Sequence, residues 1–185
     1  MLVALSGVTG VGKSYFKECV INELDYDVVH TIRTRKRRET ETKKMCGLFM
    51  TSKQIDELEK YDKIAYRFKV FGNEYAYLKD EIFSKQNRIF EMHYSTVYDF
   101  KKINSNIKTI YILPNNLEIA KEKAILRNMT KEQTKIRIKD IEEQYFKFVN
   151  DKELQKQFDY IVVNNYDDES KEKILNIVKN LKKES

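Results

Sequence analysis

Proline, glycine, cysteine, histidine and tryptophan are all scarce in this chain: one, five, two, two and none among 185 residues. Cys19 and Cys46 are too few and too unpatterned for a disulfide framework or a zinc site, which suits a reducing compartment. His30 and His93 lie far from both cysteines in sequence, so no structural metal is expected. With Pro114 as the single proline there is no low-complexity linker, and no internal repeat interrupts the chain. No apolar run approaches the ~20 residues of a membrane span, and no signal-peptide h-region opens the sequence, so a cytoplasmic protein is expected. What is present argues for a folded domain. Hydrophobic residues make up 41% and aromatics 12%, and the length fits one domain, residues 1–185.

The scarcity of glycine makes its distribution informative. Three of the five glycines stand in Gly7-Val8-Thr9-Gly10-Val11-Gly12-Lys13-Ser14, a full match to the phosphate-binding pattern G-x-x-x-x-G-K-[ST]. Leu2-Val3-Ala4-Leu5 before it reads as a buried strand. After it, Tyr15, Phe16, Val20, Ile21 and Leu24 have helical spacing. Glycines let backbone N–H groups converge on phosphate oxygens, and a helix N-terminus adds partial positive charge. Lys13 is placed to reach the β- and γ-phosphates of a nucleoside triphosphate, and the Ser14 hydroxyl to coordinate Mg²⁺. Residues Gly7 through Ser14, with Tyr15, form the expected ATP-binding set.

Strand patterns recur at Leu2 to Ser6, Asp27 to His30, Arg88 to Met92, Ile107 to Leu113 and Tyr160 to Val163. Helical patterns lie between them: Lys13 to Leu24, Leu78 to Lys85, Thr96 to Ile103, Leu117 to Arg127, Thr130 to Val149 and Glu169 to Lys182. Apolar strands alternating with amphipathic helices predict an α/β fold, a parallel sheet covered on both faces. The stretch from Arg33 to Tyr77 breaks that rhythm. It holds a strand at Ile64 to Val70, a turn at Phe71 to Tyr75 and a helix opened by the capping-box pair Thr51 and Gln54. This predicts a small mixed insertion, residues 33–77, on a core made of 1–32 and 78–185. A second capping box, Thr130 with Gln133, opens the long helix after a break at Arg127-Asn128-Met129. That break sets Arg127 and Arg137 on either side of a hinge able to swing guanidinium groups over a polyphosphate. The blander reading is a solvated helical hairpin with surface arginines.

Net charge is +6, and the excess gathers at Arg33, Arg35, Lys36, Arg37, Arg38, Lys43 and Lys44 and again near the C-terminus. Such a balance suits polyanionic substrates as well as nucleic acid. The C-terminal lysines alternate with Ile174, Ile177, Val178 and Leu181 as the wet face of a packed helix. The arginine cluster lacks the interleaved aromatics of a base-stacking surface, so nucleic acid is not the expected partner.

Beyond the loop, the chain resembles the guanylate kinase family over most of its length. Thr31-Ile32-Arg33 and Arg38-Glu39-Thr40-Glu41, two residues further apart than usual, are similar to the family's Thr-Thr-Arg-x-Pro-Arg-x-Gly-Glu segment. Phe49-Met50-Thr51 resembles its Phe-Val-Ser, and Gly72-Asn73-Glu74-Tyr75-Ala76 its Gly-Asn-Tyr-Tyr-Gly turn. Ile112-Leu113-Pro114-Asn115-Asn116 and Val162-Val163-Asn164-Asn165 resemble its later signatures. The resemblance implies a nucleoside monophosphate kinase, with Mg²⁺ and ATP on one side and GMP as the default acceptor on the other. It implies that Arg33, Arg38, Glu41 and Tyr75 hold the acceptor phosphate, that Arg127 and Arg137 are lid arginines acting with Lys13 in catalysis, that Asn164 lies near the adenine, and that Glu91 holds Mg²⁺ through water.

The resemblance is weaker where the family reads guanine. Val29, Tyr66 and His93 stand where it carries serine, glutamate and aspartate, and Gly47 where it carries a phosphate-contacting tyrosine. Guanine presents N1–H and N2–H₂ donors, so losing carboxylate acceptors predicts shallower selection for it, or a different phosphorylated acceptor. A non-catalytic interaction module on the same fold is the other class; the intact Lys13 and Ser14 argue against it.

Overall fold

The computed structural model describes residues 1–37, 47–70, 72–126 and 130–183. In chain order the elements are β1 (Leu2–Ser6), α1 (Lys13–Leu24), β2 (Asp27–Val28), β3 (Ile32–Arg33), β4 (Leu48–Phe49), α2 (Ser52–Lys60), β5 (Ile64–Val70), β6 (Asn73–Leu78), α3 (Lys79–Ile82) and β7 (Arg88–Glu91). They continue with a 3-10 turn (Tyr94–Thr96), α4 (Val97–Ile103), β8 (Lys108–Pro114), α5 (Leu117–Ile125), α6 (Lys131–Asn150), α7 (Lys152–Lys156), β9 (Tyr160–Asn164) and α8 (Asp168–Lys183). Five strands form a parallel sheet in the order β2-β7-β1-β8-β9, and four form a mixed sheet in the order β4-β3-β6-β5.

Strand periodicity sorts the core into two layers. All five residues of β1 are buried, as a central parallel strand covered on both faces requires. Val3 and Leu5 face one side with Ile110, Ile112 and Val162, against Phe16, Val20 and Leu24 of α1 and Ile174, Leu175 and Val178 of α8. Leu2 and Ala4 face the other with Phe90 and Tyr111, against Val97 and Phe100 of α4 and Phe148 of α6. Each such side chain contributes on the order of 1.5–3 kcal/mol by leaving water. The mixed sheet has its own small core, where Ile32 and Ala76 meet Ile55 of α2. Its other face carries Tyr66, Phe68 and Tyr77, which pack on the second layer of the main core.

Both predicted capping boxes are present. Thr51 and Gln54 open α2, and Thr130 and Gln133 open α6. Several elements are shorter than the sequence patterns suggest. The strand beginning at Asp27 ends at Val28, because the chain then crosses to the second sheet, and the helix predicted over Leu78 to Lys85 is only Lys79–Ile82. The short α7, capped by Asp151 accepting from Leu154 N–H, has no counterpart in the sequence reading. The predicted hinge at Arg127-Asn128-Met129 lies outside the described residues.

Candidate active site

β1 is flanked by β7 and β8, so the loop that follows it opens between two neighbours at the carboxyl end of the sheet. Val8 and Val11 are fully buried and anchor the loop from below. Gly10 has φ +86°, and a Cβ there would lie 2.0 Å from the Ala120 carbonyl of α5, so only glycine fits without moving that helix. From behind, the Asn164 amide donates to the Val11 carbonyl at 3.0 Å, while its Oδ1 accepts from Tyr166 N–H at 2.7 Å. Asn164 is buried, so its side chain shapes the loop and does not lie open beside it.

Lys13 begins α1, and its ammonium donates to the Gly7 and Val8 carbonyls at 2.8 Å each. Ser14 donates its hydroxyl to Glu91 Oε1 at 3.0 Å, and Lys17 donates to the same oxygen at 2.8 Å. Burial raises the Glu91 carboxyl, but the Lys17 and Lys13 charges, with the bonds from Lys17 and Ser14, outweigh it and hold it at about 2. It is therefore a carboxylate at any physiological pH. Two residues on, burial and then the Lys13 and Lys147 charges push the His93 imidazole down to about 4. Its Nδ1 faces the Ser95 N–H at 3.4 Å and the Ser95 hydroxyl at 2.7 Å, which places the ring proton on Nε2.

On the mixed sheet, Arg33 of β3 sits opposite Tyr75 of β6, so both side chains leave the same face. Tyr75 stacks on Phe68 with ring centroids 5.3 Å apart. The Arg33 Nη1 is buried and has no hydrogen-bond partner among the described residues. A buried guanidinium nitrogen without an acceptor carries an uncompensated desolvation penalty, which an anion would relieve. On α6, Arg137 pairs with Asp140 at 3.2 Å, and Gln144 donates to the same carboxylate at 2.7 Å. The site thus combines a glycine loop at the start of α1, a hydroxyl–carboxylate pair and a buried arginine nitrogen with no partner among the described residues.

A family model described as guanylate kinase matches residues 1–181. The chain belongs to the guanylate kinase family. Among curated relatives, the guanylate kinase of Rickettsia felis is 26% identical over 96% of this chain and 92% of its own. The guanylate kinase of Mycoplasma mobile is 27% identical over the same shares, 96% and 92%. In the crystal structure of the guanylate kinase from Anaplasma phagocytophilum the same fold recurs, with a TM-score of 0.66 at 19% identity over 97% of this chain and 84% of that one. The family places this chain among the ATP-dependent nucleoside monophosphate kinases.

Set against the family, the predicted site residues divide into groups. Lys13, Ser14 and Glu91 come together where α1 meets the end of β7, and Arg33 and Tyr75 share one face of the mixed sheet. Tyr15 is about half exposed on α1, edge-on to Phe16. Arg38, Glu41 and Arg127 lie outside the described residues. Val29 is buried in the core and offers no polar group. Tyr66 donates its hydroxyl to Asp99 Oδ2 at 2.6 Å. Gly47 has φ +86°, and a Cβ there would lie 2.2 Å from the Thr31 carbonyl, so the close approach of the chain entering β4 to the chain entering β3 itself demands glycine. Sequence reasoning missed Lys17 and Asp99. The signal for Lys17 was its place in the buried 17-20-24 stripe of α1; Asp99 gave none, since its partner is 33 residues away.

Proposed function

We propose that residues 7–14 bind the triphosphate of Mg–ATP and that the γ-phosphoryl passes to GMP held against the 33–77 insertion. A phosphate oxygen of GMP attacks the γ-phosphorus, the bond from that phosphorus to the β-phosphate bridge breaks, and GDP and ADP result. No side-chain nucleophile is needed; the residues position the phosphates and neutralise charge. Lys13 serves the β- and γ-phosphates, and Arg137, with Arg127, serves the transferring group once the lid closes. Arg33, Arg38, Glu41 and Tyr75 hold the acceptor phosphate, and Asn164 supports the loop on the ATP side.

The donor set fits Mg²⁺. A hydroxyl and one carboxylate are hard oxygen ligands, and Mg²⁺ is usually bound by one or two carboxylates together with substrate phosphates. Among the described residues no cluster of three or more His, Cys, Asp or Glu stands ready to hold a metal alone. Magnesium would supply charge neutralisation between the β- and γ-phosphates; Ser14 and Glu91 would hold it and its water. No helix of the described residues is long and apolar enough to cross a membrane.

The observation that carries this reading is the buried Arg33 Nη1 without a partner, on the same face as Tyr75. On the base side, Tyr66 is committed to Asp99, Val29 is apolar, and neutral His93 offers an Nε2 donor where guanine offers donors of its own. Discrimination for GMP over AMP, UMP and CMP is therefore shallow. Apolar contacts separate substrates by ~10–200-fold, against about 10⁴-fold or more for a site built to bond a substrate donor. Competition between mononucleotides at fixed Mg–ATP tests this. GMP should lead by no more than about 200-fold in kcat/KM, and a lead above about 10⁴ would mean other acceptors read the guanine edge.

A further inference from the structure

Lys17 is 6% exposed and lies on the stripe of α1 that also buries Phe16, Val20 and Leu24. Lysine is almost never fully buried unless paired, and an apolar side chain of similar volume would fill such a stripe without the cost of desolvating an ammonium. Packing alone gives no reason for the charge. The charge has a specific address: Lys17 Nζ donates to Glu91 Oε1 at 2.8 Å, the oxygen that also accepts the Ser14 hydroxyl at 3.0 Å. Lys13 is one helical turn away, so two ammonium-bearing side chains rise from one face of α1 beside a single carboxylate. The three residues come from the first turns of α1 and the end of β7, 74 positions apart in sequence for Lys17 and Glu91.

We propose that Lys17 is a positioning residue of the phosphoryl-transfer site, which holds Glu91 in register with Ser14 and offsets its charge so that a divalent cation binds weakly until a triphosphate completes the site. The inference rests on the reading that the loop binds Mg–ATP. Lys17 touches no substrate; it acts through Glu91. A unit charge a few ångströms from a cation site changes the cation's affinity by about an order of magnitude or more at the effective dielectric of a protein surface.

The test uses the whole protein with Lys17→Met, which removes the ammonium and keeps the volume, and Lys17→Gln, which removes the charge and keeps a hydrogen-bond donor. Mn²⁺ is the probe, its unbound fraction read by electron paramagnetic resonance in the absence of nucleotide. Both variants should bind Mn²⁺ roughly tenfold tighter than wild type. Lys17→Met should also lower kcat by about tenfold or more, with KM for ATP and GMP within about twofold, while Lys17→Arg restores wild-type values for both readouts. If Lys17→Met fails to fold, Lys17→Gln decides alone. Wild-type Mn²⁺ affinity in Lys17→Gln would overturn the proposal. If wild type binds neither Mn²⁺ nor Mn–ATP, the Mg–ATP reading falls and takes this inference with it. If wild type binds both and the variants match it, only the role of Lys17 is refuted.

Discussion

At the scale of single residues, the acceptor side turns on Arg33. Its buried Nη1 has no partner among the described residues, so the protein carries the desolvation cost of that nitrogen, which the proposed acceptor phosphate would offset. Arg33→Met should therefore behave unlike most buried substitutions. Thermal or urea unfolding should show stability unchanged or slightly raised, while KM for the acceptor rises by roughly 10²-fold, the equivalent of ~3 kcal/mol for lost charged hydrogen bonds. A variant that loses stability while keeping its acceptor KM would assign Arg33 to structure instead. The strand, glycine loop and helix from Leu2 to Leu24 were the most legible part of the sequence, because their pattern is carried by neighbours in the chain. The Tyr66–Asp99 and Lys17–Glu91 bonds were illegible for the opposite reason: each joins elements that only the fold brings together.

At the scale of elements, the chain leaves the parallel sheet after β2 and returns through α3 before β7, so two crossings tie the mixed sheet to the core. Glu81 of α3 spans them. It accepts from the His30 backbone N–H and lies against His30 Nδ1, both at 2.7 Å, with Arg88 of β7 at 3.6 Å behind it. Glu81→Ala removes both bonds and leaves the half-buried His30 N–H without its acceptor. Denaturant unfolding should show a loss of about 2–3 kcal/mol, the range for hydrogen bonds to a charged group, and a cost below ~0.5 kcal/mol would mean that the crossing is held elsewhere. Helix starts were readable, since a capping box is a local pattern of four residues, as at Thr51 and Thr130. The two-residue strands β3 and β4 were not, because they are too short for an alternation to register, and they exist through pairing with β6 and with each other.

At the scale of the whole molecule, tyrosine burial sets the response to alkali. The chain has 12 tyrosines. Burial pushes Tyr26 and Tyr166 up to about 12; burial first, with nearby groups, raises Tyr66 and Tyr111 further, and burial raises Tyr77 against the Thr31 bond and the Arg33 charge. Each phenol is raised in the fold above its ordinary value near 10, so the native state binds more protons than the unfolded chain above that pH. The stability they contribute is fully present below about pH 10 and is lost as pH rises towards about 12 and beyond. Tyrosinate absorbance followed alongside circular dichroism should show only part of the phenols ionising near pH 10, with the rest appearing together with unfolding. Ionisation of all of them near pH 10 in a folded protein would contradict the burial described.

The proposed function assigns ATP to the loop after β1 of the parallel sheet and the acceptor to the Arg33–Tyr75 face of the mixed sheet. The direct measurement follows radiolabel from the γ-position of ATP in the presence of Mg²⁺ and GMP, with wild type and Lys13→Ala side by side. The account predicts label in GDP, matched mole for mole by ADP, for wild type, and its loss in a Lys13→Ala protein that still shows a folded circular dichroism spectrum. Label that stays in ATP with wild type, for GMP and for every other mononucleotide although ATP binds, would contradict it.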